Sequence, residues 1–185
     1  LQQERNRRDA LAQRPNASPQ VIESVSIMLD HLTQALAEVT QAIRKHLNQH
    51  PDLKAQKRTL LQVPGIGSKN VLYILVLLHR WSTLTSGQGQ SKGLVAFVGM
   101  DPQTHTSGTS IRGRGAISRM GSREMRRRMF MSALGGVRGH NVLRIFYERL
   151  VNRGKPKMVA LMAAARKILV WAWAIFRQQS SFDEG

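Results

Sequence analysis

The chain has 185 residues, no cysteine and a formal net charge of +17. That length holds one ordinary domain and an appendage, the missing cysteines exclude a disulfide framework and thiolate metal sites, and so strong a positive charge calls for a polyanionic partner. Residues 1–50 carry six Lys/Arg against five Asp/Glu, and residues 51–185 carry twenty-two against six, so the basic surface belongs to the second segment.

Residues 1–19 read as a tail or as the end of an element preceding Leu1, which stands where an initiator methionine would. The run Arg14 to Pro19 is punctuation, with Ser18 and Pro19 suited to the N-cap and first position of a helix. From there to about residue 50, Ile22, Val25, Leu29, Leu32, Leu36, Val39 and Ile43 recur at alternating steps of three and four. This is the seam of a coiled coil, and it predicts a homo-oligomer through residues 22–43.

After Pro51, two helical stretches flank Val63-Pro64-Gly65-Ile66-Gly67, with Ser68 placed to cap the second. Gly65 and Gly67 permit positive φ and leave backbone N–H groups uncovered at a helix N-terminus. Such a spot receives a phosphate, and Lys69 adds a charge-assisted contact. The pattern is that of a helix-hairpin-helix module, with Val63 and Ile66 locking it to the core. The helix through Leu78 is apolar on nearly every face and predicts burial. Residues 82–93 are a polar loop, after which Ser91 caps a short helix over Leu94, Val95, Phe97 and Val98; a strand is the competing reading.

Residues 99–115 are rich in Gly, Ser and Thr and read as a polar loop. Ser107 and Ser110 are both hydroxyl candidates for a nucleophile. A serine needs a base or electrostatic help, and His105, Arg112 and Arg114 are at hand. Next, Gly121 reads as a turn, Ser122 as an N-cap and Glu124 as a first-turn acid, so a helix starts at Arg123. Met125, Met129, Ala133 and Gly136 form its core face. Arg123, Arg126 and Arg127, with Arg119 before them, line the other side as a row of phosphate contacts. Because Ile117–Ser122 resembles the first hairpin, a second, degenerate copy is suggested.

Asn141–Leu150 reads as a helix and 152–157 as a basic turn, where Lys155 and Lys157 are phosphate candidates. Met158–Phe176 is nearly long enough to span a bilayer, but Arg166 and Lys167 sit at its centre, where charge is expensive. It reads as a buried helix, without a membrane partner. Trp171, Trp173 and Phe176 read as core or subunit contacts rather than as base-stacking platforms, since no basic residues interleave with them, and residues 179–185 as a frayed tail. The fold class is therefore all-α: a long coiled-coil-like helix over 20–50, then a compact helical domain over 51–178.

The succession VPGIG, GMDP, TSG, GAISRMGSREMRR and a late GKPK before an alanine-rich helix ending in tryptophans resembles the C-terminal domain of the DEDD insertion-sequence transposases. That family includes the Piv site-specific invertases and the recombinases guided by a bridging RNA. The resemblance covers roughly residues 55–178, and the coiled-coil region before it also fits. It implies a cytoplasmic DNA recombinase with DNA and a guide RNA as partners. It also implies a serine nucleophile, which falls on Ser107 of the Ser107-Gly108 pair. The family's four metal-binding acids lie in an N-terminal resolvase-like domain; Glu4 and Asp9 do not match them, so Mg²⁺ is implied there and no cofactor is expected on this chain. The alternatives are a non-catalytic helix-hairpin-helix nucleic-acid-binding protein or transposase remnant, and a basic RNA-binding structural protein.

Overall fold

A computed structural model describes residues 1–14, 18–103, 106–107, 111–112 and 116–178. Among them are eight helices and four two-residue strands: α1 (Gln2–Ala12), α2 (Pro19–Gln49), α3 (Pro51–Leu60), α4 (Val71–Leu84), α5 (Ser91–Val98), β1 (Pro102–Gln103), β2 (Thr106–Ser107), β3 (Ile111–Arg112), β4 (Ala116–Ile117), α6 (Arg123–Gly136), α7 (Val142–Asn152) and α8 (Lys157–Gln178). The fold is all-α, as its periodicities predict. The chain divides into two compact units, Leu1–Lys54 and Ala55–Gly185.

In the first unit, residues read as a tail form α1, which packs against α2. Few of its residues are apolar, so isolated it would be a marginal helix, and docking on α2 supplies what propensity does not. Seam residues Val25 and Leu29 are buried, whereas Leu36 and Val39 farther along are 54% and 56% exposed, and Ile43 is exposed as well. One continuous seam is thus covered at its N-terminal end and open beyond it.

The second unit is built around α8, which packs against α4, α5, α6 and α7. Four of its alanines, Ala160, Ala164, Ala165 and Ala172, are fully buried beside Ile168 and Leu169, and their small side chains let neighbouring helices approach closely. By length and composition alone α8 could cross a membrane; here it is the central helix of the core. Lys167 escapes burial of its charge by setting Nζ over the rings of Phe146, at 4.6 Å, and Trp171, at 5.0 Å. Of the three C-terminal aromatics, Trp171 thus meets a cation. Trp173 is buried and donates Nε1–H to the Gly89 carbonyl at 3.0 Å.

Residues 91–98 are helical rather than extended. Gly99 ends α5 at φ +74 in the left-handed conformation, with Met100 N–H returning to the Val95 carbonyl. Ser91 is the first helical residue and not the cap; Gln90 holds that position without a side-chain bond. Helix α6 begins where capping and charge predict, with Ser122 Oγ accepting from Met125 N–H at 3.3 Å. Replacing Ser122 by alanine is expected to cost about 1 kcal/mol, readable as a lowered midpoint in urea denaturation.

Candidate nucleic-acid interface

The hairpin between α3 and α4 is held by an asparagine. Val63 and Ile66 are buried, as their apolar character predicts. The expected Ser68 cap is absent, because α4 starts at Val71 with Asn70 before it. Asn70 Oδ1 accepts the Gly67 N–H at 2.7 Å, while its Nδ2 donates to the Gly65 carbonyl at 3.3 Å and to Ser132 Oγ on α6. One side chain thus closes the turn and joins it to α6.

The two glycines have different reasons to be there. Gly65 has φ +92, and a Cβ on it would lie 2.5 Å from the Ser132 carbonyl oxygen and 2.8 Å from Ile168 Cδ1. Its role is close packing onto α6, not an open cradle. Gly67 has nothing within 4 Å of such a Cβ and no positive φ, but its N–H is already spent on Asn70. Among the turn's N–H groups, those of Ser68 and Lys69 make no hydrogen bond within the described residues and belong to exposed residues. The exposed N–H groups of the turn thus lie one residue onward from the glycines.

Among its described residues, the stretch read as a polar loop carries two short antiparallel ribbons. Pro102 pairs with Ile117 and Gln103 with Ala116, while Thr106 pairs with Arg112 and Ser107 with Ile111. Ser107 and Arg112 thus lie on opposite strands of the second ribbon, one pair apart. Gly108, His105, Arg114 and the competing Ser110 lie outside the described residues.

The ribbon is rooted firmly. Ser118 N–H donates to the Asp101 carbonyl at 3.0 Å, Ser118 Oγ bonds Asp101 Oδ1, and Arg119 N–H donates to the Gly99 carbonyl at 3.1 Å. Gly99 and Gly121 are in such close approach that a Cβ on Gly99 would sit 2.6 Å from the Gly121 nitrogen. Arg119 itself holds a left-handed φ of +57, a conformation a bulky residue rarely adopts unless its surroundings impose it.

Of the arginines on α6, Arg123 and Arg127 are exposed as predicted, but Arg126 is not part of that row. It is half-buried, and its Nη1 donates to the Gly121 carbonyl at 2.6 Å and the Val98 carbonyl at 3.2 Å. It ties α6 to the ribbon root and to the end of α5. Arg127 pairs with Glu124 at 3.2 Å in a largely exposed ion pair that contributes little to stability. Lys155 and Lys157 are exposed at the turn between α7 and α8. The structure brings Ser68, Lys69, Arg123 and Arg127 to the joined hairpin and α6; no described contact draws Lys155 or Lys157 there.

A profile of the transposase IS116/IS110/IS902 family matches residues 57–148, from α3 through most of α7. Over 155 residues the chain is 30% identical to the pilin gene-inverting protein of Moraxella lacunata, covering 83% of this chain and 47% of that protein. The chain belongs to this transposase family. The pilin gene-inverting protein of Moraxella bovis matches to the same extent, 30% over 155 residues. An insertion element IS110 protein of Streptomyces coelicolor is 29% identical over 153 residues, or 80% of this chain and 36% of that protein. The chain spans about half the length of the pilin gene-inverting proteins it matches. Within the family-matched window fall the hairpin, both ribbons and all of α6, together with three residues that motif reading passes over: Asn70, Tyr73 and Ser132. Asn70 carries a turn-former's signal, but its partner Ser132 lies 62 residues away, a distance no local pattern reaches.

Proposed function

We propose that this chain is the C-terminal part of a DNA transposase or site-specific recombinase, that it holds nucleic acid against the hairpin and α6, and that it supplies Ser107 as the nucleophile. The observation that carries the reading is the rooting of the first ribbon, which leads in sequence to the Ser107 ribbon, at the N-terminal end of α6 through Arg126 and the Gly99–Gly121 approach. A rigid base beneath a hydroxyl-bearing ribbon is what a positioned nucleophile requires. Relatives named for inverting a pilin gene and for an insertion element support a role in DNA rearrangement.

In this reading, α3, residues 61–70 and α4 form a helix-hairpin-helix module, and Ile117–Ser122 with α6 its degenerate copy. Backbone phosphate meets the Ser68 and Lys69 N–H groups and the Lys69 ammonium, and the adjoining strand meets Arg119, Arg123 and Arg127. Ser107 Oγ bonds to phosphorus as one phosphorus–oxygen bond to deoxyribose breaks, giving a covalent protein–DNA ester. The serine proton passes to a base, for which His105 is the candidate, and the departing sugar oxygen takes up a proton. Arg112 and Arg114 offset the charge that builds on phosphate. A guide RNA occupies part of the same basic surface, and the open part of the α2 seam pairs two copies of the chain.

The Mg²⁺ that the family resemblance implies has no ligand set here. Among the described residues no three His, Asp or Glu gather, Asp101 is bonded to Ser118, and Glu124 is paired with Arg127 and Arg128. The ion belongs to a resolvase-like domain, and no step above runs through it.

The test is covalent trapping. With the resolvase-like domain supplied, cleavable DNA is expected to yield a denaturation-resistant protein–DNA adduct, and Ser107→Ala to abolish it. An adduct of undiminished yield in the Ser107→Ala protein would move the nucleophile to another residue, Ser110 first, and no adduct with either protein would leave a non-catalytic binding protein as the better reading.

A further inference from the structure

The junction of α4 and α6 displays an aromatic ring that the core does not need. Tyr73 is 47% exposed, while its neighbours Val71, Ile74 and Leu75 are buried. The α4 pattern, apolar all round, predicts a buried ring, so the exposure is a departure to be explained. One face of the ring is covered: the Arg128 guanidinium carbon lies 3.4 Å from the ring centroid, the separation of stacked planes. Arg128 is in turn fixed by an ion pair with Glu124 at 2.9 Å. The Tyr73 hydroxyl makes no hydrogen bond among the described residues.

The surroundings extend the pattern. Val76, one turn on along α4, and Met131, one turn beyond Arg128 along α6, are both well exposed. Lys69 precedes Tyr73 by one turn and Arg127 adjoins Arg128, both exposed. An aromatic and apolar strip thus runs between cations, beside the hairpin N–H groups. A plain structural latch between α4 and α6 explains the Tyr73–Arg128 contact alone. It does not explain the solvated ring, because Asn70 and Ser132 already join these helices and Met129 and Ala133 are sealed in the core. Cations interleaved with a presented aromatic are what single-stranded nucleic acid requires: phosphates meet the charges and an unstacked base lies on the ring. A paired base inside a duplex cannot reach such a ring.

We infer that Tyr73, backed by Arg128, is a stacking platform for one unpaired nucleobase beside the hairpin. This rests on the nucleic-acid reading of the surface and adds to it a preference for unpaired over fully paired strands. The base can come from DNA or RNA, since both present the same π-face.

The experiment uses the 185-residue chain and two duplexes, one fully paired and one with a short bulge containing a fluorescent adenine analogue, each made in DNA and in RNA. The chain is expected to bind the bulged probe more tightly than the paired one and to quench the analogue. Tyr73→Leu, which keeps an apolar side chain, is expected to lose roughly 5- to 150-fold on the bulged probe, the worth of one stacked base, with little change on the paired probe. Tyr73→Phe is expected to retain both affinities. A thermal melt checks that the leucine variant is folded. Should it not be, the same comparison is made on the unmodified chain with an abasic bulge, which is expected to lose the same factor. Equal losses on both probes, or an abasic bulge bound as well as a normal one, would overturn the platform while leaving the phosphate-binding surface standing. Failure of the chain to bind any probe would overturn both. The arm with the larger Tyr73→Leu effect identifies the source of the base.

Discussion

Raising the salt concentration from 50 to 200 mM is expected to weaken nucleic-acid binding by roughly 10³–10⁵-fold, if ~6–10 phosphates are neutralised. The second unit has the charge for this, and the structure sorts its cations into those free to meet phosphate and those already committed. Lys69, Arg119 and Arg123 are exposed, and Arg127 is held only by a surface ion pair. Neutralising any one of these four is expected to lower the slope of log affinity against log salt by about 0.9. Arg126 and Arg128 are different: both are half-buried, one on two backbone carbonyls and the other on Tyr73 and Glu124. Their replacement is expected to appear in the melting temperature before it appears in the salt slope. A flat salt dependence for the unmodified chain would remove the nucleic-acid reading altogether.

Gly65→Ala is the substitution expected to cost most stability, about 3 kcal/mol. A left-handed φ for alanine costs ~1–2 kcal/mol, and overpacking a close contact costs ~1–3 kcal/mol. Relief is blocked because the nearest atom is the Ser132 backbone carbonyl, fixed within α6, and Gly136 approaches the same point from the next turn. For a domain of this size that loss corresponds to a melting temperature lower by roughly 6–12 °C. Gly67→Ala two residues later is expected to leave the melt nearly unchanged, since a Cβ there meets open space. Equal effects of the two substitutions would contradict the packing described for the hairpin.

Where local chemistry decides the outcome, the sequence is a sufficient guide. Helix α6 starts at Arg123 because Ser122 can cap it and Glu124 suits its first turn, and both signals lie within four residues of the boundary. The burial of Val63, Ile66, Met129 and Ala133 likewise follows from apolar character at helical spacing. Elsewhere the deciding contacts are distant. The ribbons at 102–117 have too few apolar residues for any strand period; what registers their first pair is the return of Ser118 and Arg119 to Asp101 and Gly99, and the hold of Arg126. Arg126 falls on the outer arc of α6 by spacing alone, yet the carbonyls of Val98 and Gly121 draw it inward. Ser68 has the chemistry of a cap, but Asn70 reaches the Gly67 N–H from within the same turn and prevails. Tyr73 reads as core because its neighbours on α4 are apolar, yet its ring is half exposed, and the contact that covers one face of it, Arg128, arrives from another helix. The candidate site is thus legible as a set of residue types in the right order, while its geometry is not, because the joints are tertiary.

The most direct test of the proposal is to digest the trapped protein–DNA adduct and identify the modified residue by mass spectrometry. A phosphodeoxyribose remnant on Ser107 is the expected result. A remnant on Ser110, on Ser118 or on a residue outside the ribbon would contradict it.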